Sequence, residues 1–175
     1  EASADEMREY TRSVTEEEIE AELCADRERF RFPEPIEDGV YRANTRACLA
    51  IRKWIEAKKL DAFTVNFLKA CPAYGIDTMP FLEACKAMTR GIGYAGEGDA
   101  LDAMLAGALI RTFEMASFVE IFCPDWKDDR LFLSHMGEMN YRTADGMPEI
   151  RMRSSNYTDS VMPMAGYACY RPGRA

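Results

Sequence analysis

The 175-residue chain contains one histidine, His135, so any catalytic or metal-binding role for an imidazole has one candidate. Its six cysteines (Cys24, Cys48, Cys71, Cys85, Cys123 and Cys169) include no pair at CxxC spacing. At this size, without tight spacing, buried thiols in a reducing cytosol are expected rather than a disulfide framework. No apolar run approaches the roughly 20 residues that a membrane helix needs. The longest tract, Ala103 to Ile110, carries Gly107. An excess of basic charge is missing as well. Lys+Arg 22 against Asp+Glu 30 gives a formal net charge of −8, which speaks against a binder of nucleic-acid phosphates. No internal repeat or low-complexity segment is evident.

What is present suffices for a core. At 47% hydrophobic and 30% charged, the chain can fold without disulfides or a structural metal. Its acidity is concentrated at one end: residues 1–38 hold 14 acidic and 5 basic side chains, while 39–175 hold 16 and 17. Thr15-Glu16-Glu17-Glu18 reads as a capping box. The helix behind it should bury Ile19, Leu23 and Phe30 and turn its remaining acids to solvent. Pro33 and Pro35 end it. A second helix is expected from about Val40 to Lys59, with Ala47, Cys48, Ile51, Trp54 and Ile55 as its apolar stripe. The segment from Ala62 to Leu68 is strand-like, and Pro80 suits the first turn of a helix reaching about Arg90.

Gly91 to Gly96 reads as a short extended segment that runs into Glu97-Gly98-Asp99. Asp99 can cap a helix from Ala100 to about Met115, with Leu101, Met104, Leu105, Ala108 and Phe113 as its buried face. This order of helices and strands predicts an α/β layer structure. After Ser117 the pattern becomes β-rich, with strands expected over Phe118 to Cys123, Leu131 to Met136, Glu149 to Arg153 and Val161 to Tyr170. A boundary is placed near residue 116, giving 1–116 and 117–175. The second stretch is too short to close a domain by itself, so the chain is expected to be part of a longer protein.

Three residues carry the chemistry: Glu97, Glu120 and His135. Glu97 lies between Gly96 and Gly98, where an extended segment enters a helix; glycines there allow a sharp bend and close approach of a ligand. The plainer reading is a carboxylate capping a helix start. Glu120 alternates with Phe118 and Phe122 on one strand face. It is either buried with a partner, where desolvation suits it to acid/base work, or exposed on an edge. His135 is either a core histidine or a ligand; the turn between residues 123 and 131 should bring its strand beside that of Glu120. Two carboxylates and an imidazole suit a divalent cation of the Mn²⁺ type.

At these residues the sequence resembles a known family. Gly91-Ile92-Gly93-Tyr94-Ala95-Gly96-Glu97-Gly98-Asp99 is similar to the GYGFAGEGD segment of bacterial L-arabinose isomerases. Ser117-Phe118-Val119-Glu120 resembles their TSFMED, and Leu133-Ser134-His135-Met136-Gly137-Glu138 resembles GSHMLE. Arg46 to Phe67, with Asp61-Ala62-Phe63-Thr64, is similar to their helix followed by HAFTTTF. The resemblance implies a helix-flanked α/β central domain followed by the start of a β-rich C-terminal domain. It also implies a metal-dependent aldose–ketose isomerase, an intramolecular oxidoreductase converting L-arabinose to L-ribulose through a cis-enediol. On that basis Glu97 and Glu120 are metal ligands and acid/base groups, and His135 is a metal ligand. The family's second histidine ligand has no counterpart here, so the 175 residues alone are expected to be inactive.

The gap from Glu97 to Glu120 is slightly shorter than in the family, which makes Glu114 a competitor for the second position. The implied ion is Mn²⁺, with Co²⁺ or Mg²⁺ as alternatives. The implied partner is a small-molecule sugar, with neither nucleic acid nor membrane, in a cytoplasmic homo-oligomer (trimer or hexamer). L-fucose isomerases pair a glutamate with an aspartate, so two glutamates favour the arabinose side. A non-catalytic sugar- or metal-binding module on the same fold is the reading from another class, and an isomerase of another sugar is the third.

Overall fold

A computed structural model describes residues 1–69, 73, 75–135, 137–153 and 162–172. Three helices open the chain: α1 (Ala4–Ser13), α2 (Glu16–Arg29) and α3 (Asp38–Lys58). Each starts on a side-chain cap that satisfies amide groups no helical carbonyl can reach. Ser3 accepts from the Glu6 amide, and Glu37 accepts from those of Gly39 and Val40. At α2 the capping box forms in full: the Glu18 amide donates to Thr15 Oγ1 (3.2 Å) and the Thr15 amide to Glu18 Oε2 (2.8 Å).

Strands β1 (Ala62–Thr64) and β2 (Gly93–Ala95) pair in parallel across the helix α4 (Phe81–Thr89), with Phe63 opposite Tyr94. Helix α5 (Ala100–Phe113) follows and packs on both strands. The hairpin β3 (Glu120–Asp125) and β4 (Arg130–Ser134) comes next, then the antiparallel pair β5 (Glu149–Met152) and β6 (Met164–Tyr167). The fold is therefore α/β, with a short parallel pair flanked by helices and a β-rich stretch behind it. The main hydrophobic core runs from Met7 through Ile19, Leu23, Ile51, Leu82 and Tyr94 to Ile150 and Met164, with a small second cluster of Met79, Phe81 and Ala165. The buried amide of Asn44 locks β6 to α3, accepting from Met164 N (2.8 Å) and donating to Met162 O (3.1 Å).

Several expectations from sequence are corrected here. The acids of α2 do not all face solvent, because Glu22 and Asp26 are buried against Arg52 and Lys86. Strand β1 stops at Thr64, and Phe67–Lys69 forms a short 3-10 turn. The buried face of α5 is Ala103, Ala106, Gly107 and Ile110, while Leu101, Met104, Leu105, Ala108 and Phe113 face outward. The reason is close approach: a Cβ on Gly93 would fall on the Ala103 carbonyl and the Gly107 backbone, so only small residues fit between helix and sheet. Phe118 and Val119 precede β3, and its alternation is interrupted at Phe122 because Ile121 pairs with Leu133 but Cys123 pairs with Phe132. Such a bulge turns the following side chains to the other face.

Of the described cysteines, Cys48 and Cys85 are buried, whereas Cys24, Cys123 and Cys169 are exposed; all five are free thiols. Cys71, Pro72, Met136 and Val161 lie outside the described residues. Among the described residues, no helix is long and apolar enough to cross a membrane.

Candidate functional site

Strand β2 stops at Ala95, and Gly96-Glu97-Gly98-Asp99 carries the chain into α5. Gly98 takes φ +91° and Glu97 itself φ +61°. A non-glycine residue in that left-handed region costs of order 1–3 kcal/mol, so the surroundings must hold it there. Thr64 on the neighbouring strand does so: its hydroxyl donates to Ala95 O (2.7 Å) and accepts from the Gly98 amide (3.0 Å). The cap of α5 is Asp99, which accepts from the Asp102 amide at 2.9 Å. Glu97 is exposed and is not that cap.

Glu120 opens β3 with Ser134 opposite it, and is exposed. His135 lies one residue beyond β4 rather than within a strand, and its side chain is only 7% exposed. The imidazole stands edge-on to Phe118, with ring centroids 4.7 Å apart. Its Nε2 lies 3.6 Å from where a Cβ on Gly96 would stand. The hairpin thus brings the imidazole against the turn just before Glu97, while Glu120 pairs with the residue just before His135. Glu114, the competitor for the second carboxylate, closes α5 at φ +60° with its carboxylate 3.9 Å from Arg142.

The structure adds two residues that sequence reasoning missed. Glu138 is fully buried; its Oε1 accepts from the Tyr94 hydroxyl at 2.6 Å, and its Oε2 stands 3.0 Å from His135 Nδ1. The ring N–H approaches that oxygen obliquely, so the contact is electrostatic more than a well-directed hydrogen bond. Burial opposes protonation of the imidazole, but the Glu138 carboxylate and the charge of Glu120 outweigh it and raise the His135 pKa above its ordinary value. The available signal was an acid three residues beyond the only histidine, within the same motif.

The donor types suit a divalent ion. A ligating histidine commonly has its other ring nitrogen against a carboxylate, as His135 has against Glu138. The side chains do not converge, however: among the described residues no group of three His, Cys, Asp or Glu could hold a metal ion. A cleft of about 890 Å³ opens beside His135, lined also by Ser134, Glu138, Met152, Tyr167 and Tyr170; Glu97 and Glu120 lie outside its lining.

Fold and site together define a class: an α/β protein whose parallel strand pair leads into a strained turn bearing an exposed glutamate, with an imidazole seated against that turn and a buried carboxylate near its other ring nitrogen. A profile of the L-arabinose isomerase central domain matches residues 2–116, and the chain belongs to that family. It is 28% identical over 152 residues to L-arabinose isomerase 2 of Bacillus licheniformis, covering 81% of this chain and 31% of that protein. It is 26% identical over 152 residues to the L-arabinose isomerase of Oceanobacillus iheyensis, with the same coverage. To that of Leuconostoc mesenteroides it is 30% identical over 111 residues, covering 61% of this chain and 23% of the relative. The chain therefore spans less than a third of the length of these relatives.

Proposed function

We propose that this chain contributes Glu97, Glu120 and His135 to an aldose–ketose isomerase that converts L-arabinose to L-ribulose through a cis-enediol. The observation that carries the reading is the seating of His135 Nε2 against Gly96, which adjoins Glu97, at the end of a parallel strand pair. Ligands of α/β sheets bind at such carboxyl ends. Glu97, Glu120 and His135 are the residues that would hold a divalent ion of the Mn²⁺ type. Bound there, the ion would supply positive charge where the enediolate oxygens develop theirs.

The chain's own groups handle the protons. One glutamate takes the proton from C2 and returns it to C1; the other moves the hydroxyl proton from O2 to O1. The two carboxylates come from separate segments, the turn after β2 and the start of β3, so they can address the substrate from different sides. Glu138 keeps the imidazole turned toward the turn before Glu97. The same reading makes the whole protein a homo-oligomer, a trimer or hexamer, which light scattering would test.

The decisive experiment substitutes Glu97→Gln and Glu120→Gln separately in the full-length protein and assays L-arabinose isomerisation with added Mn²⁺. Turnover should fall at least 10²-fold in each variant while circular dichroism is unchanged. Substantial residual activity in both would sink the reading. The rival, a non-catalytic sugar- or metal-binding module, has one observation in its favour: the described residues gather no three ligands. It predicts Mn²⁺ or sugar binding with no turnover of any pentose by the full-length protein.

A further inference from the structure

We propose that Glu138, held by Tyr94, is a positioning residue that fixes the proton of His135 on Nδ1 and leaves Nε2 as a free lone pair facing the turn before Glu97. The inference rests on the reading of His135 as a ligand for its purpose and for the metal titration below, but not for the tautomer measurement. Glu138 is 1% exposed and Tyr94 1%, and each carboxylate oxygen has its own neighbour. Oε1 receives the Tyr94 hydroxyl at 2.6 Å, and Oε2 faces Nδ1 at 3.0 Å. An ionised carboxylate only accepts, and a neutral imidazole has one donor and one acceptor nitrogen. A lone pair on Nδ1 would be repelled by Oε2, so the proton belongs there.

Both sides of the arrangement are braced. Cys85, buried on α4, donates from Sγ to Gly137 O (3.4 Å) and accepts from the Met139 amide (3.3 Å), pinning the backbone on either side of Glu138. Gly137 takes φ +100°, and a Cβ there would stand 2.6 Å from Ala165 Cβ, so the chain reaches Glu138 by a path only glycine follows easily. Tyr94 occupies the centre of β2, the strand that leads to Glu97. The tyrosine that holds Glu138 and the turn that His135 faces are thus parts of one rigid segment, and the orientation of the imidazole is referred to the turn it serves. Phe118 closes the ring from its edge.

The test is imidazole ¹⁵N NMR on the full-length protein at alkaline pH, with the imidazole neutral and the His135 signals assigned by their loss in His135→Gln. The wild type should show a protonated Nδ1 and an unprotonated Nε2. Glu138→Leu should shift the proton to Nε2 or average the two tautomers. Glu138→Leu with Tyr94→Phe avoids stranding the Tyr94 hydroxyl in an apolar site, so it folds more readily than the single variant, and it should give the same signature if the single variant fails to fold. In Mn²⁺ titrations followed by electron paramagnetic resonance, binding should weaken 10–100-fold in the variant. A wild-type Nδ1 without its proton, or a tautomer and Mn²⁺ affinity unmoved by the double variant, overturns the proposal. A wild type that binds no Mn²⁺ overturns the metal reading of the function instead, and the tautomer result still decides the role of Glu138.

Discussion

The packing of α2, α3 and α4 and the surface formed by α5 with the β3–β4 hairpin obey opposite rules. In the first, charge is inside. Arg52 bridges Glu22 and Glu83, Arg90 joins Glu83, and Lys86 Nζ sits 2.6 Å from both Glu22 Oε1 and Asp26 Oδ1. In the second, apolar side chains are outside: Leu101 is 78% exposed, Phe113 66%, and Phe122 and Trp126 are exposed on the hairpin. Glu97 and Glu120 lie at the margins of the second region. The difference separates a part whose buried charges are ion-paired within the chain from one whose apolar faces are not covered by it, and the candidate site sits where the two meet.

The internal charges are mutually dependent, and Lys86 is their hub. Removing one member of a buried ion pair leaves the other uncompensated, which costs about 3–5 kcal/mol. Lys86→Met strands Asp26, 1% exposed, and should lower the unfolding free energy measured in urea by that amount. A loss below about 1 kcal/mol would mean that the buried cluster is not what distinguishes this region.

The next effect belongs to the junction of the regions. Gly93→Ala places a methyl group on the Ala103 carbonyl and the Gly107 backbone, and overpacking of this kind costs about 1–3 kcal/mol. Because β2 carries Tyr94 and leads to Glu97, the same substitution should also reduce activity of the full-length protein. Unchanged stability would show that α5 can move away freely and does not define the position of the turn.

Within the charged cluster, Glu22 and Asp26 should respond to pH in opposite senses. Burial pulls the Glu22 carboxyl up, but the hydrogen bonds from Arg52 and the charges of Lys86 and Arg52 overcome it and hold the carboxyl well below its usual range. A folded pKa depressed below the unfolded value of about 4.3 contributes stability above that pH, and the contribution is lost as pH falls through the folded value. For Asp26 burial wins over Lys86, and its pKa is raised. Its contribution is complete below the unfolded value of about 3.9 and disappears as pH rises through the folded one. Urea unfolding at neutral pH should therefore find Glu22→Gln less stable by about 1.5 kcal/mol and Asp26→Asn no less stable than the wild type, with the gap closing on acidification. Asp26→Asn as the more damaging substitution at neutral pH would reverse the assignment.

How much of this was legible in the sequence follows from how local each feature is. The Thr15–Glu18 box and the Asp99 cap involve partners three residues apart, so spacing alone carries them. The burial of Glu22 and Asp26 depends on Arg52 and Lys86, in other helices, and no window along α2 contains that information. For Glu138 the nearer partner, His135, is three residues away, while Tyr94 is 44 away. The spacing to His135 lay within reach of a sequence reading, though it went unread, and the contact with Tyr94 did not. The face of α5 was misjudged for another reason: the helix is apolar nearly all round, and periodicity does not say which side meets Gly93.

That outward side of α5 gives the smallest expected effect and the sharpest contrast with Lys86. Leu101, Met104 and Phe113 are 78%, 65% and 66% exposed, so replacing Leu101 and Met104 by lysine removes little buried contact within the chain. Substitutions at such surface positions usually stay within about 0.5 kcal/mol, and the unfolding free energy of Leu101→Lys/Met104→Lys should move by no more than that. Solubility should rise, because contiguous apolar surface promotes association. A larger loss of stability would mean that this face packs against the chain after all, and the division between an ion-paired helical part and an open apolar one would fail there.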